Sequence, residues 1–160
     1  MPGLVLITMS TDTPSTPSLH LVVGYDGSQP SSRALDAAVR LLRGRPGQLE
    51  VRYVAHMPAL DMMSADAVAE MQADLREIEK DLRTAVGVQL QDSGERWNFE
   101  WREGPITDGL LTAAEVVRDA HPGATVVIVV GSSSQAMHRV VGSVAVSLVR
   151  RAPVPVIVVP

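Results

Sequence analysis

The sequence predicts an α/β protein in which helices cover both faces of a five-stranded parallel sheet, a three-layer sandwich. Short apolar runs, typical of buried strands, alternate along the chain with longer stretches whose apolar residues recur every three or four positions, as in helices. The 160 residues, 46% of them hydrophobic and 20% charged, have the composition of a single globular domain. Strands that alternate with helices in this way favour parallel pairing through right-handed crossovers.

Five apolar runs predict the strands. They are Leu19–Tyr25, Leu49–His56, Trp97–Arg102, Thr125–Val130 and Val154–Val159. The third run alternates large apolar and polar residues, which is typical of a less covered edge strand. The fourth run is the most apolar, as expected of a central strand that is covered on both faces.

Four helices are predicted between these strands, over Gln29–Leu42, Ala65–Leu90, Ile106–Ala120 and Ser143–Arg151. The second is the clearest, because its apolar residues form one stripe with the helical period. The stripe consists of Ala65, Val68, Met71, Leu75, Ile78, Leu82, Val86 and Leu90. Packing on the sheet is favoured over the alternative, a face that binds a partner.

The termini and the composition exclude several classes of protein. Residues 1–18 contain a Ser/Thr/Pro tract and are interpreted as a flexible arm, or as an overextended start, ahead of a domain over 19–160. No apolar run reaches the roughly 18 residues of a membrane span, and no secretory signal is evident, so a cytoplasmic protein is expected. The absence of Cys excludes disulfides and thiolate metal sites, and the net charge of −4 argues against nucleic-acid binding.

The segments that follow two of the strands contain residues that a simple turn does not need. They lie at the carboxyl ends of the strands, where open parallel sheets bind ligands. Gly131 permits a sharp exit from the fourth strand, and three serines follow it. Gly142 and Ser143 begin a helix, where free N–H groups and the helix dipole favour a phosphate. The alternative is that these residues serve only as a turn and a helix cap.

Asp26 follows the first strand and faces the same edge if strands one and four are neighbours. Its carboxylate would then accept hydrogen bonds from ribose hydroxyls or from an adenine amino group. The alternative is a turn-forming Asp, which bonds its own backbone two residues further on.

The order of these pieces resembles the universal stress protein superfamily over about residues 19–160. The resemblance is carried, in order, by VGYDGS, PSSRAL, REGPITDGLLTAAE, VVGSSS, VVGSVAVSLVRRA and PVPVIVVP. It implies a five-strand parallel sheet in the order 3-2-1-4-5, so that the ligand crevice lies between strands one and four. It also implies a homodimer formed through the last strand, Val154–Val159.

Many members of this superfamily bind ATP through the signature G-x2-G-x9-G-[S/T], from which this sequence departs twice. Gly131 matches the first glycine, but Ser134 replaces the second, and only seven residues separate it from Gly142-Ser143. The two missing residues remove up to about 7 Å of chain reach. A Cβ at Ser134 also disfavours positive φ and crowds a phosphate that approaches the backbone.

Other positions match the family better. The resemblance assigns Asp26 to the nucleoside, the backbone of Val54 to the adenine, and the Ser143 hydroxyl and Val144 amide to the phosphates. It thus implies a regulatory module that binds ATP or another adenine nucleotide, with Mg²⁺ on the phosphates, through an altered phosphate loop. The alternative from the same family is a dimeric interaction protein that does not bind nucleotide.

An enzyme on this architecture is the third interpretation, and it is disfavoured. The sequence lacks a P-loop and offers no convincing general base, His56 being the best candidate. We therefore expect no catalytic residues, with slow ATP hydrolysis left open. The four histidines lack the spacing of metal motifs, so no metal site in the protein itself is expected.

Overall fold

The computed structural model describes residues 16–56, 63–132 and 142–160. Five parallel strands form one sheet in the order β3-β2-β1-β4-β5, as predicted. The strands are β1 (Leu19–Gly24), β2 (Gly47–Ala55), β3 (Trp97–Glu103), β4 (Thr125–Gly131) and β5 (Val156–Val159). The helices are α1 (Gln29–Leu42), α2 (Ala65–Leu90), α3 (Ile106–Ala120) and α4 (Ser143–Arg151), with the predicted boundaries.

The strand boundaries differ from the prediction by one or two residues. β2 begins at Gly47 because that residue pairs with Leu19, the first residue of β1. β5 begins only at Val156, two residues later than predicted. The preceding Pro155 has no N–H to donate, although its carbonyl accepts a hydrogen bond of 3.0 Å from the Ile128 N–H.

The side chains of the sheet divide into two cores, because successive residues of a strand point to opposite faces. One core joins the sheet to α1 and to the C-terminal half of α2, and includes Val23, Leu35 and Val86. The other joins it to α3 and α4, and includes Ile128, Leu110 and Leu148. Helices therefore cover the central strands on both faces.

The predicted stripe of α2 is buried only in part. Leu75, Val86 and Leu90 are buried, whereas Ile78 is 42% exposed. Leu82 packs against the first core and lies beside Gly27, in the turn that follows β1. None of the helices in the described ranges combines the length and apolar composition that a membrane span requires.

The sheet order has one consequence for function. β1 lies at the centre with β2 on one side and β4 on the other, so the helices that follow β1 and β4 leave the sheet toward opposite faces. The connections diverge at this point and leave a gap at the carboxyl ends of the two strands. The fold thus places the candidate site where the sequence predicts it.

Candidate functional site

A crevice of about 310 Å³ opens at the carboxyl ends of β1 and β4. Six of the seven predicted site residues line it, namely Asp26, Val54, Gly131, Gly142, Ser143 and Val144. The seventh, Ser134, lies outside the described residues. The carboxylate that follows the first strand and the glycine–serine pair that begins α4 therefore share one gap, as the sequence predicts.

The turn between β1 and α1 is held by a compact set of hydrogen bonds. The Ser28 N–H donates to Asp26 Oδ1 at 3.0 Å, and the Asp26 N–H donates to Ser31 Oγ at 3.3 Å. Ser28 is also the N-cap of α1, because its Oγ accepts the Ser31 N–H at 3.3 Å. Asp26 thus bonds the backbone two residues further on, as the turn-forming interpretation predicts.

These bonds also determine the charge of Asp26. Burial alone would raise the pKa of its carboxyl group, but hydrogen bonds from Ser28 and Ser31 and from its own backbone together lower the pKa below the ordinary value of 3.8. Asp26 is therefore ionised at neutral pH, and its exposed side chain presents a negative charge to the crevice. A carboxylate has room for donors beyond the Ser28 N–H.

Gly131 has a steric role in the fold. A Cβ at this position would overlap the carbonyl group of Pro30, in the first turn of α1. The contact brings the end of β4 directly under the start of α1, and only glycine fits without displacing backbone. This packing explains the glycine without any ligand.

The start of α4 differs from that of α1. Its N-cap is Gly142, which has no side chain, and no side-chain cap is made among the described residues. The Val146 N–H donates to Gly142 O at 3.0 Å, so the helix proper begins at Ser143. Ser143 and Val144 precede this bond and line the crevice, and Ala145 and Leu148 anchor the helix in the core. N–H donors at an uncapped helix start are the groups that bind anions.

One wall of the crevice, formed by β2 and α3, is apolar. Val54 at the end of β2 and Leu110 of α3 are buried, and Ile106 at the start of α3 is 40% exposed. Gly109 lets α3 approach this wall closely, since a Cβ there would lie 2.7 Å from Val54 Cγ2. Sequence reasoning found Val54 only through the family resemblance, and missed Ile106 and Leu110. The sequence signal for Ile106 and Leu110 was that α3 begins just after β3. The first apolar residues of α3 therefore lie near the carboxyl ends of the strands.

A polar row, which sequence reasoning also missed, crosses the sheet on the α3 side. It runs from the buried residues His20, Glu50 and Arg52 to the half-buried Asn98 and the exposed Glu100. Arg52 Nη2 lies 3.0 Å from Glu50 Oε2 and 3.5 Å from Glu100 Oε2, and Arg52 Nη1 donates to Asn98 Oδ1 at 2.6 Å. Glu50 is 2% exposed and Arg52 7% exposed, and the buried charges compensate each other. Two opposite charges two residues apart in a buried strand were the available signal.

The chain matches the model of the universal stress protein family over residues 18–160. The fold defines an α/β protein with a crevice at the switch point of its sheet, and the chain belongs to the universal stress protein family. None of the curated proteins compared with the chain matches it.

Solved structures share the fold over almost the whole chain. The hypothetical protein MJ0577 superposes with a TM-score of 0.72 at 18% identity, covering 90% of this chain and 96% of its own. A universal stress protein in complex with cAMP gives a TM-score of 0.64 at 23% identity, covering 91% and 99%. A family protein from Arabidopsis thaliana with AMP bound gives 0.61 at 14% identity, covering 89% and 91%. At these identities the similarity indicates a common fold.

Proposed function

We propose that this chain is a regulatory module that binds ATP or another adenine nucleotide in the crevice between β1 and β4. The observation that carries the proposal is the convergence of six predicted positions on one crevice of about 310 Å³. That volume lies within the roughly 300–1,000 Å³ typical of small-molecule sites. The module would act by binding rather than catalysis, with nucleotide binding favouring one conformation or assembly over another.

The nucleoside would occupy the side of the crevice between Asp26 and Val54. The ionised Asp26 carboxylate would accept hydrogen bonds from ribose hydroxyls or from an adenine amino group. The apolar wall formed by Val54, Ile106 and Leu110 would cover the base, and the Val54 backbone would meet its edge. A mainly apolar wall with a few convergent polar groups is the usual composition of such a site.

The phosphates would bind at the start of α4. Ser143 and Val144 line the crevice at a helix start without a side-chain cap among the described residues, and the Ser143 hydroxyl and the two backbone N–H groups would be the donors. These donors and the positive end of the helix dipole favour a negatively charged ligand. Mg²⁺ would arrive with the phosphates, since it is usually bound through one or two carboxylates together with substrate phosphates.

The phosphate loop of this chain differs from the ATP-binding signature of the family. Ser134 stands where the signature has its second glycine, and the segment before Gly142 is two residues short. We therefore propose that phosphate binding is weaker here than in members with the complete signature. The two structural relatives with cAMP and AMP bound contain mononucleotides, which need fewer phosphate contacts than ATP.

Calorimetric titration of the purified chain with Mg-ATP tests the proposal. Adenosine and tripolyphosphate, titrated separately, report the two halves of the site. We expect saturable heat with ATP and weaker binding of each fragment, because the two halves of the crevice act together. Absence of heat at millimolar ATP and AMP would refute nucleotide binding.

A second candidate function is a dimeric interaction protein that binds no nucleotide. It is favoured by the structural roles of Asp26 in its turn and of Gly131 against Pro30, neither of which needs a ligand. The dimer would form through β5, an edge strand whose four residues are all half-buried. An open strand edge is a template for pairing with a second copy.

The register of β5 supplies a test of this dimer. The Pro155 carbonyl accepts from the Ile128 N–H of β4, and the Val159 carbonyl accepts from the Ser132 N–H just after β4. The backbone groups of Val156 and Val158, in alternating positions, therefore face outward. Val158→Pro removes an outward N–H without touching the bonds to β4, and Val158→Ala is its matched control. Light scattering should show a dimer for the control and a monomer for the proline variant. If both are dimers, the interface lies elsewhere.

A further inference from the structure

His20, Glu50 and His121 come together at the end of the sheet opposite the crevice. His20 Nδ1 lies 3.3 Å from Glu50 Oε1, and the two imidazole rings stack with centroids 4.0 Å apart and planes inclined by 26°. One nitrogen or oxygen atom of each of the three residues lies within 4.8 Å of the others. His20 and Glu50 are buried, whereas His121 is exposed at the C-terminal end of α3. The crevice takes no atom from these three residues.

These three residues offer ligand atoms that could hold a metal ion. Two imidazoles and one carboxylate form a common three-ligand set for zinc, with water in the fourth position. The hydrogen-bond contact of 3.3 Å between His20 Nδ1 and Glu50 Oε1 is also close to the edge, about 3.4 Å, of a tetrahedron with metal–ligand bonds of about 2.0–2.1 Å. An ion could therefore replace the proton between these two atoms with little movement of either side chain.

The residues around the cluster already orient Glu50 as the partners of a metal ligand do. Gln48 Nε2 donates to Glu50 Oε1 at 3.0 Å, and Arg52 Nη2 lies 3.0 Å from Glu50 Oε2. These bonds fix the carboxylate with Oε1 toward His20. Ligating carboxylates are usually held by such partners, which position them and limit the cost of closing the site.

We propose that His20, Glu50 and His121 bind a divalent transition-metal ion, zinc in the first instance, at the amino-terminal edge of the sheet. His20 Nδ1 and Glu50 Oε1 form the buried half of the site. The stacked His121 ring turns about its side-chain bonds to bring a nitrogen to the ion, which its exposure permits. Water completes the coordination, and the ion joins β1 and β2 to the end of α3.

The site is invisible to motif searches, because its ligands lie far apart in the sequence. His20 and Glu50 are 30 residues apart, and His121 follows only after another 71. The expectation of no metal site rested on the spacing of histidines along the chain, which does not register residues that the sheet and α3 bring together. The proposal is independent of nucleotide binding, since its ligands lie outside the crevice.

Zinc titration of the full chain, without nucleotide, tests the site. His121→Ala removes an exposed ligand at the end of a helix, and an unfolding curve of the variant shows whether the loss of its stack on His20 changes stability. His56→Ala, which removes an exposed histidine at the end of β2, is the matched control. We expect one zinc equivalent to bind the wild type and the control equally. The His121→Ala variant should bind at least about 10-fold more weakly, since losing even an indirect partner of a ligand costs about 10–100-fold.

Cobalt reports the coordination directly, because four-coordinate Co²⁺ has an intense visible absorption that six-coordinate Co²⁺ lacks. The wild type and His56→Ala should both develop this band, and His121→Ala should not. Glu50→Gln, which keeps a hydrogen-bonding oxygen and loses the charge, should weaken the band as well. Equal zinc affinity in wild type and His121→Ala, or a six-coordinate spectrum in the wild type, would overturn the proposal.

Discussion

The two sides of the crevice differ in how their polar groups are satisfied. On the α1 side, Asp26, Ser28 and Ser31 satisfy one another, and Gly131 packs directly against Pro30. On the α4 side, the helix starts at a glycine cap with no side-chain bond among the described residues. The polar groups of the α1 side are therefore satisfied without a ligand, whereas the α4 side has a helix start without a side-chain cap among the described residues. Substitutions on the first side should change stability, and those on the second should change binding.

The largest expected effect is that of Gly131→Ala, on the α1 side. The new Cβ would overlap the Pro30 carbonyl, so α1 must shift. We expect the free energy of unfolding to fall by about 3 kcal/mol, near the upper end of overpacking costs. Urea unfolding measures this change. The control is Gly87→Ala in α2, where a Cβ meets only the Trp97 ring at 3.8 Å and the helix should gain about 0.5–1 kcal/mol.

If Gly131→Ala unfolds like the wild type, the packing against Pro30 is not a constraint. The glycine would then have to be explained by the ligand, as the family signature implies, and the contrast between the two sides would be lost.

Ser143→Pro tests the α4 side. Ser143 is the first residue of α4 and follows Gly142 with ψ 154°, a backbone that proline accepts at this position. The variant loses a hydroxyl and an N–H donor while the helix start is kept, and Ser143→Ala loses the hydroxyl alone. We expect ATP affinity to fall about 30-fold for proline and less for alanine, since a hydrogen bond to a charged group contributes about 1.5–3 kcal/mol.

Stability provides the second measurement for this pair. Neither Ser143 variant should lower the unfolding midpoint appreciably, in contrast to Gly131→Ala. An unchanged ATP affinity in Ser143→Pro would show that the phosphates do not bind at the start of α4.

Asp26 lies on the α1 side but lines the crevice, so both stability and nucleotide binding should respond to its substitution. Asp26→Ala removes the acceptor for the Ser28 N–H and should cost about 1 kcal/mol of stability at neutral pH. Asp26→Asn keeps an acceptor and should cost less, yet both should weaken nucleotide binding. Asp81→Ala, on the exposed side of α2, is the control.

The pH dependence has a defined sign. The pKa of Asp26 is lowered on folding, so its contribution to stability is fully present above the ordinary pKa of 3.8 and is lost as the pH falls through the lower folded value. The difference between wild type and Asp26→Ala should therefore be constant from about pH 7 to about pH 5 and shrink below about pH 4. A difference that grows on acidification would contradict the hydrogen bonds described for the turn.

Most of the fold could be predicted from the sequence because its elements are locally encoded. The helix α2 is visible in a single apolar stripe, and α1 in Pro30 and the alanine positions that follow. Asp26 and Gly131 could also be placed at strand ends, since each stands where an apolar run stops. The strand order came from family resemblance, because the sequence period alone does not say which strands are neighbours.

Residues whose role depends on contacts between distant parts of the chain could not be predicted in this way. Glu50 and Arg52 appear as polar interruptions of a strand until β3 brings Asn98 and Glu100 beside them. His121 appears as a helix end until its ring is found stacked on His20. Ile106 becomes part of the crevice wall only once α3 is placed on the sheet. The role of each of these residues depends on a contact with a distant part of the chain. Such a contact does not change the hydrophobic periodicity of the sequence.

The smallest expected effect is that of Ser134→Gly. This variant tests whether Ser134 weakens phosphate binding on the α4 side. Ser134 lies outside the described residues, and the prediction rests on its place in the family signature. If the second signature position requires positive φ, glycine removes a cost of about 1 kcal/mol, so ATP affinity should rise about five-fold. Ser133→Gly is the matched control, since the neighbouring position is not a glycine in the signature. An equal gain in ATP affinity in both variants would attribute the effect to general loop flexibility. No gain in either variant would leave the two missing residues as the reason for weaker phosphate binding.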